Sequence, residues 1–115
     1  MRNDHHDPRE NLGGLVISAE VLASIALTAA RDIEGVSVVV PRAVDLKRLF
    51  KRSLRYVKIA GNDTEMEVEL MLRLCAGARL IAVSGKVQRA VKEALQGMTG
   101  RTVARVNLKI QGIDY

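Results

Sequence analysis

Seven basic side chains between residues 42 and 58 could bind a charged ligand. The same run contains a single acidic residue, Asp45. Such a local excess of positive charge attracts polyanions, which include nucleic acid, anionic lipid headgroups and the acidic face of a protein. Charge alone does not choose among these ligands. The candidate site residues are Arg42, Lys47, Arg48, Lys51, Arg52, Arg55 and Lys58.

A Gly-x-x-Gly motif at 97–100 is the second candidate. In RNA-binding modules of the KH type this motif joins two helices and grips the phosphate backbone. Here a helical pattern precedes the motif and a strand pattern follows it, so the glycines are predicted to end the helix. Base stacking would need aromatic side chains, and Tyr56 is the only ordered candidate. RNA binding through the basic 42–58 segment is kept as an alternative to docking of this segment on an acidic protein or on lipid.

Metal binding and catalysis have little support in the residue pattern. His5 and His6 lie beside two aspartates, but in a polar stretch where nothing would orient them as ligands. Glu65, Glu67 and Glu69 alternate along a predicted strand, which puts them on a solvated face rather than in a cleft. Cys75 lies in an apolar run and is expected to be a buried structural thiol. We therefore expect no enzyme, no cofactor and no metal.

The composition indicates one small domain with an aliphatic core. The chain has 115 residues, 48% of them hydrophobic, with two Tyr, one Phe and no Trp. Residues 1–12 are predicted to be a disordered tail and 13–115 a single α+β domain. No apolar run approaches the roughly 20 residues that span a bilayer, and the N-terminal residues lack the apolar region of a signal peptide. We expect a cytoplasmic protein.

Apolar periodicity predicts the elements that would position these residues. Helical spacing indicates long helices near 19–33 and 78–100 and a short basic amphipathic helix within 42–55. Alternating or β-branched runs indicate strands at 13–18, 36–40 and 102–113 and an antiparallel hairpin over 56–74. The predicted fold is a two-layer α+β sandwich, with a mostly antiparallel sheet and the two long helices packed on one of its faces.

Two blocks of sequence resemble the bacterial alkaline-shock, general-stress family of envelope stress response proteins. Residues 13–36 are similar to the opening block of that family, with a Gly-hydrophobic-Ile-Ser start, a helix and a closing Glu-Gly-Val. Residues 87–113 are similar to its closing block, in which a Val-Gln helix runs into Met-Thr-Gly and a Val-Asn strand ends in Gly-Ile. With the central hairpin, the resemblance covers about 13–113.

The resemblance implies a non-enzymatic cytoplasmic protein that gathers at the inner side of the membrane. It implies a membrane-anchored protein partner, self-association and a role in cell-envelope homeostasis, and it carries over no catalytic residue. Weak contact of the basic helix with anionic lipid is a further expectation. Two departures bear on the partner. Ala76 and Ile81 stand where family members commonly have tyrosine and proline, and the segment 42–55 is richer in arginine than is usual in the family.

Overall fold

The described part of the chain forms helices on one face of a three-stranded sheet. The structure is a computed structural model and describes residues 18–37 and 53–115. In chain order the elements are α1 (Ala19–Arg31), β1 (Val57–Gly61), β2 (Glu65–Cys75), α2 (Leu80–Thr99) and β3 (Thr102–Asp114). α1 packs against α2 and β1, and α2 packs against β3. The predicted α+β class, with two long helices on one face of the sheet, is confirmed.

The start of α1 is defined by a side-chain cap. Ser18 is extended, and its hydroxyl accepts a hydrogen bond from the backbone N–H of Val21 at 3.3 Å. This bond satisfies one of the N–H groups that a helix start leaves without an intrahelical partner. The helix ends at Arg31 with Asp32 as its C-cap, slightly before the predicted end at 33. Its buried face is rich in alanine, which allows close approach of the elements it packs against, α2 and β1.

A tight turn joins β1 to β2 as the predicted antiparallel hairpin. The strands pair with Val57 opposite Leu70 and Gly61 opposite Met66. In the turn, the Asn62 side-chain oxygen accepts hydrogen bonds from the backbone N–H groups of Thr64 and Glu65, at 2.9 and 3.0 Å. An asparagine at this position stabilises the turn by replacing backbone partners. The hairpin register is therefore set locally.

β3 pairs with β2 in parallel, so the sheet is mixed rather than mostly antiparallel in the described residues. Met66 lies opposite Val103 and Leu74 opposite Ile113, with two register shifts between them. The physical reason is the connection: α2 returns the chain to the end of the sheet where β2 began, and a crossover of this kind produces parallel neighbours. The alternation seen in the sequence reports one solvated face and does not determine strand direction.

The core lies between the two helices and the inner face of the sheet. Alternate residues of β2 are nearly inaccessible, and α2 contributes a buried residue at almost every turn. Because a buried aliphatic side chain stabilises the fold by roughly 1.5–3 kcal/mol, this cluster holds the two layers together. Its central members are Met66, Val68, Leu70, Leu72, Leu74, Val83, Val87, Val91 and Leu95.

Alanine substitutions at glycines within α2 and at its C-cap are expected to change the free energy of unfolding in opposite directions. A Cβ added at Gly85 or Gly97 meets no atom within 4 Å, whereas Gly100 is the C-cap with φ of 73°. Gly85→Ala should raise the free energy of unfolding by about 1 kcal/mol, because alanine loses less backbone entropy in a helix. Gly100→Ala should lower it by about 1 kcal/mol, because a side chain disfavours the left-handed backbone. Urea unfolding of both variants measures these changes in the free energy of unfolding. Changes of the same sign in the two variants would contradict the prediction.

Several predicted elements fall outside the described residues. They are the tail 1–12, the strand 13–18 apart from its last residue, and the basic helix within 42–55 apart from a helical turn over 53–56. Of the predicted strand 36–40, Val36 is described and forms an isolated antiparallel bridge with Leu74. The assignment of 13–115 to one domain stays a prediction.

Candidate interaction surfaces

The basic segment is described only at its C-terminal end. Arg42, Lys47, Arg48, Lys51 and Arg52 lie outside the described residues. Arg55 and Lys58 are both exposed, Arg55 in the helical turn over 53–56 and Lys58 on β1. In that turn Ser53 is buried, while Leu54 is 41% exposed. The part of the segment that the structure describes thus has one inward side and one basic outer side.

The outer face of the sheet carries paired charges. Lys58 lies opposite Glu69 in the hairpin, as the sequence predicts. The glutamates of β2 also meet cations of β3: Arg105 Nε lies 3.5 Å from a carboxylate oxygen of Glu67, and Lys109 Nζ lies 3.5 Å from one of Glu69. Exposed pairs of this kind contribute little stability, about 0–1 kcal/mol each. The prediction that these acids are structural agrees with their ion pairs, and the partners on β3 were not predicted.

A cluster of three polar side chains joins the ends of β2 and β3 to the segment after α1. Arg73 Nε donates to one carboxylate oxygen of Asp114 at 2.7 Å, and the Ser37 hydroxyl donates to the other. The backbone N–H of Ser37 also donates to the carbonyl of Arg73 at 2.8 Å. Among the described residues no imidazole lies beside the Ser37 hydroxyl. The Asp114 carboxylate that accepts its hydrogen bond is a weak base, because Arg73 also binds it and its pKa is lowered. We therefore call this cluster a structural clasp rather than a nucleophilic site.

The clasp makes the stability of the protein depend on pH. Two hydrogen bonds hold the pKa of Asp114 below its ordinary value of 3.8. The bond from Ser37 has the larger effect and the bond from Arg73 the smaller. A lowered folded-state pKa gives stability that is complete above the unfolded-state pKa and is lost as the pH falls through the folded-state value. Asp114→Asn should therefore be less stable than the parent protein at neutral pH, and the gap should close below about pH 3.8.

Urea unfolding of both proteins between about pH 7 and pH 2.5 measures the gap. Glu93→Gln, which removes an exposed carboxylate from α2 and makes the same change in net charge, is a control for general charge effects. A gap that stays constant across this range would show that Asp114 does not act through its charge.

The Gly-x-x-Gly motif is the bend between α2 and β3, as predicted. Gly97 lies inside the helix, Gly100 caps it, and β3 begins at Thr102. The geometry of a KH clamp, in which the motif joins two helices, is not formed. Tyr56, the aromatic candidate for base stacking, is half-buried and packs against the core. Neither feature favours nucleic-acid binding.

The expectation that Cys75 is buried is wrong. Cys75 is exposed, because it ends β2 with the parity of the outward residues, whereas Leu72 and Leu74 point to the core. Among residues 18–37 and 53–115 no three His, Cys, Asp or Glu side chains are grouped so that they could hold a metal ion. His5 and His6 lie outside the described residues.

A groove between α2 and the outer edge of β3 was not predicted. It has a volume of about 650 Å³ and is lined by Gln88, Arg89 and Lys92 of α2 and by residues 103–107 of β3. We call it the β3 groove. The lining includes three cationic side chains and no acid. Sequence periodicity does not predict this groove. Its α2 residues belong to the polar side of the helix, and its β3 residues belong to a different element of the chain.

Comparison with known proteins gives a family and one weak relative. The family model of the alkaline shock protein 23 family, described as having a cell envelope-related function, matches residues 7–115. The "uncharacterized protein YqhY" of Bacillus subtilis (strain 168) is 25% identical over 118 residues, which covers 100% of this chain and 86% of the relative. No solved structure gives a significant match. None of the helices in the described part of the chain combines the length and apolar character needed to cross a bilayer.

Proposed function

Because the chain belongs to the alkaline shock protein 23 family, whose function is related to the cell envelope, we propose that it is a cytoplasmic scaffold of envelope stress response. The family is not a known enzyme family. In our proposal the protein is non-enzymatic and self-associates. Its basic 42–58 segment docks it at the inner face of the membrane, on an acidic membrane-anchored protein and, more weakly, on anionic lipid.

The exposure of the basic segment at its described end supports this proposal. Arg55 and Lys58 are exposed beside Leu54, and five further cations precede them in the sequence with only one acid. A surface of this composition fits an acidic partner. The half-buried position of Tyr56 makes the alternative, RNA binding by base stacking, less favourable.

The energetics of lipid attraction require a protein anchor. Each Lys or Arg near an anionic membrane contributes at most about 1 kcal/mol, and the contribution falls within a Debye length of roughly 8–10 Å. Lipid attraction alone would therefore hold the protein weakly and in a salt-dependent way through its basic helix. The residues concerned are Lys47, Arg48, Lys51, Arg52 and Arg55. A stable location at the membrane therefore needs an acidic protein surface in addition to lipid.

Self-association would use exposed apolar side chains at the start of α2. Leu80 is 53% exposed and Ile81 is 87% exposed. Adjacent exposed aliphatic residues on a helix are suited to a contact between two copies. The position of Ile81 is also one where this chain departs from the family pattern.

Charge reversal tests the docking role. Changing Lys47, Arg48, Lys51, Arg52 and Arg55 to Glu should move the protein from the membrane fraction to the supernatant of lysed cells. Circular dichroism must show that the variant is folded. A folded variant that fractionates like the parent protein would refute the docking role.

The matched control uses pairs of equal charge change. Lys51→Glu with Arg52→Glu should reduce recruitment, whereas Arg79→Glu with Lys86→Glu, at exposed positions near the start of α2, should not. A tagged pull-down with and without nuclease separates the alternatives. Recovery of a membrane protein and untagged self, insensitive to nuclease, supports the scaffold, and recovery dominated by nuclease-sensitive RNA supports RNA binding.

A further inference from the structure

The outer edge of β3 presents backbone hydrogen-bonding groups inside the β3 groove. Within the described residues β3 pairs with β2 alone. The backbone N–H of Val103 donates to the side-chain oxygen of Gln96 at 3.0 Å, and the carbonyl of Val106 accepts from the side-chain nitrogen of Gln88 at 2.9 Å. Both backbone groups therefore point away from β2 toward α2. Two glutamine amides occupy places that a neighbouring strand would fill.

The edge continues beyond these two contacts. Residues two apart in a strand direct their backbone groups to the same edge, so Leu108 shares the direction of Val106. The paired register with β2 is regular from Glu67–Arg105 to Leu72–Ile110. A segment lying in the β3 groove would thus meet donors and acceptors at the spacing of a strand. This is the requirement for recognition by strand addition.

The charge of the groove selects the chemistry of the added strand. Arg89 and Lys92 lie on its α2 side and Arg105 on its β3 side, and Arg105 already has Glu67 as a partner. A second copy of β3 would bring the like charges of Arg105 and Lys109 toward this rim, which opposes pairing of two β3 edges. The lining has no aromatic side chain on which a base could stack.

We propose that the β3 groove binds an extended acidic peptide segment of a protein partner, which adds to the sheet as a fourth strand beside β3. Backbone hydrogen bonds to Val106 and Leu108 hold the segment, and the Gln88 amide leaves the Val106 carbonyl as the segment enters. Arg89 and Lys92 contact the acidic side chains. No residue named in the groove lining belongs to the basic 42–58 segment, so substitutions can test the two surfaces independently.

Binding of a defined peptide to the full chain tests the charge requirement. The probe is a fluorescein-labelled ten-residue peptide in which Glu alternates with Val or Thr, followed by fluorescence anisotropy at low salt. Arg89→Glu with Lys92→Glu should weaken binding at least about tenfold, because two attractive contacts become repulsive. The matched control Arg79→Glu with Lys86→Glu has the same change in net charge outside the groove and should change affinity less than about threefold.

N-methylation of the peptide tests the strand geometry. A methyl group on a peptide nitrogen that faces β3 removes a hydrogen bond and adds a clash, whereas one on the opposite edge does neither. Binding should therefore be lost at alternate positions of a single-methyl series. Equal loss at all positions would overturn strand addition.

Three other results would overturn the proposal. They are no binding of the parent chain, a loss of binding on Lys51→Glu with Arg52→Glu but not on Arg89→Glu with Lys92→Glu, and displacement of the peptide by a single-stranded RNA of equal charge at lower concentration. The second would assign the peptide to the basic segment, and the third would assign the groove to nucleic acid. Membrane fractionation of the groove variant is a separate readout, which reports on the proposed docking role.

Discussion

Replacing Leu70 with alanine is expected to lower the free energy of unfolding by about 2–5 kcal/mol. Leu70 is 0% exposed and lies on the central strand, with Val57 of β1 on one side and Leu108 of β3 on the other. Truncation removes buried apolar surface and leaves a cavity that three packed elements cannot easily fill. Small domains are stable by about 5–15 kcal/mol, so the loss is a large fraction of the total.

Urea unfolding measured by circular dichroism gives the value directly. Ile81→Ala is the control, since Ile81 is 87% exposed and its truncation should change stability by less than about 0.5 kcal/mol. Because Ile81 is a proposed self-association contact, the comparison is made at a concentration where both proteins are monomeric. Similar losses in the two variants would contradict the position of Leu70 at the centre of the core.

Gly61→Ala is expected to cost roughly 3 kcal/mol, from two causes that act together. Gly61 has φ of 144°, a backbone conformation that residues with a side chain rarely adopt. A Cβ at this position would lie 2.3 Å from the carbonyl oxygen of Glu65 and 2.7 Å from Cα of Met66. Both atoms belong to the backbone of the paired strand, so the clash is relieved only by opening the hairpin.

Thermal and urea unfolding check this expectation. Gly97→Ala is the matched control, because a Cβ there meets nothing within 4 Å and the substitution should stabilise by about 1 kcal/mol. A neutral Gly61→Ala variant would mean that the turn between β1 and β2 has a different backbone from the one described.

Local patterns were sufficient to predict both long helices and the hairpin. Ser18 and Gly100 mark helix ends because a side-chain oxygen and a left-handed backbone are needed there, and both needs are met by residue type alone. The turn at Asn62 is fixed by hydrogen bonds within four residues. Burial followed for the same reason, since alternation on β2 assigns each side chain to a face.

Contacts between distant residues could not be predicted in the same way. The parallel pairing of β2 with β3 depends on the end of the sheet to which α2 returns the chain. The alternation of apolar and polar residues is the same whether the strand runs parallel or antiparallel to its neighbour. The bond from Arg73 to Asp114 joins residues that only this pairing brings together. The predicted burial of Cys75 is wrong because residues of an apolar run still alternate between the two faces of a strand.

The two candidate surfaces differ for a related reason. The basic segment is contiguous in sequence, so its charge is visible without a fold, and its docking role remains a proposal. The β3 groove combines Lys92 of a helix with the edge of a strand, and neither element shows it alone. What a sequence reveals of a surface therefore depends on how many elements build that surface.

The parallel arrangement of β2 and β3 also has a consequence for the order of folding. β1 and β2 close across a three-residue turn, residues 62–64, whereas β3 must wait for the whole of α2. Closing longer loops costs more chain entropy and slows the formation of nonlocal contacts. During synthesis the ribosome makes β3 after the hairpin and α2, so β2 spends an interval with the side that β3 will cover unpaired. An unpaired apolar strand is a template for pairing with other chains, so the docking of β3 removes an aggregation-prone edge from β2.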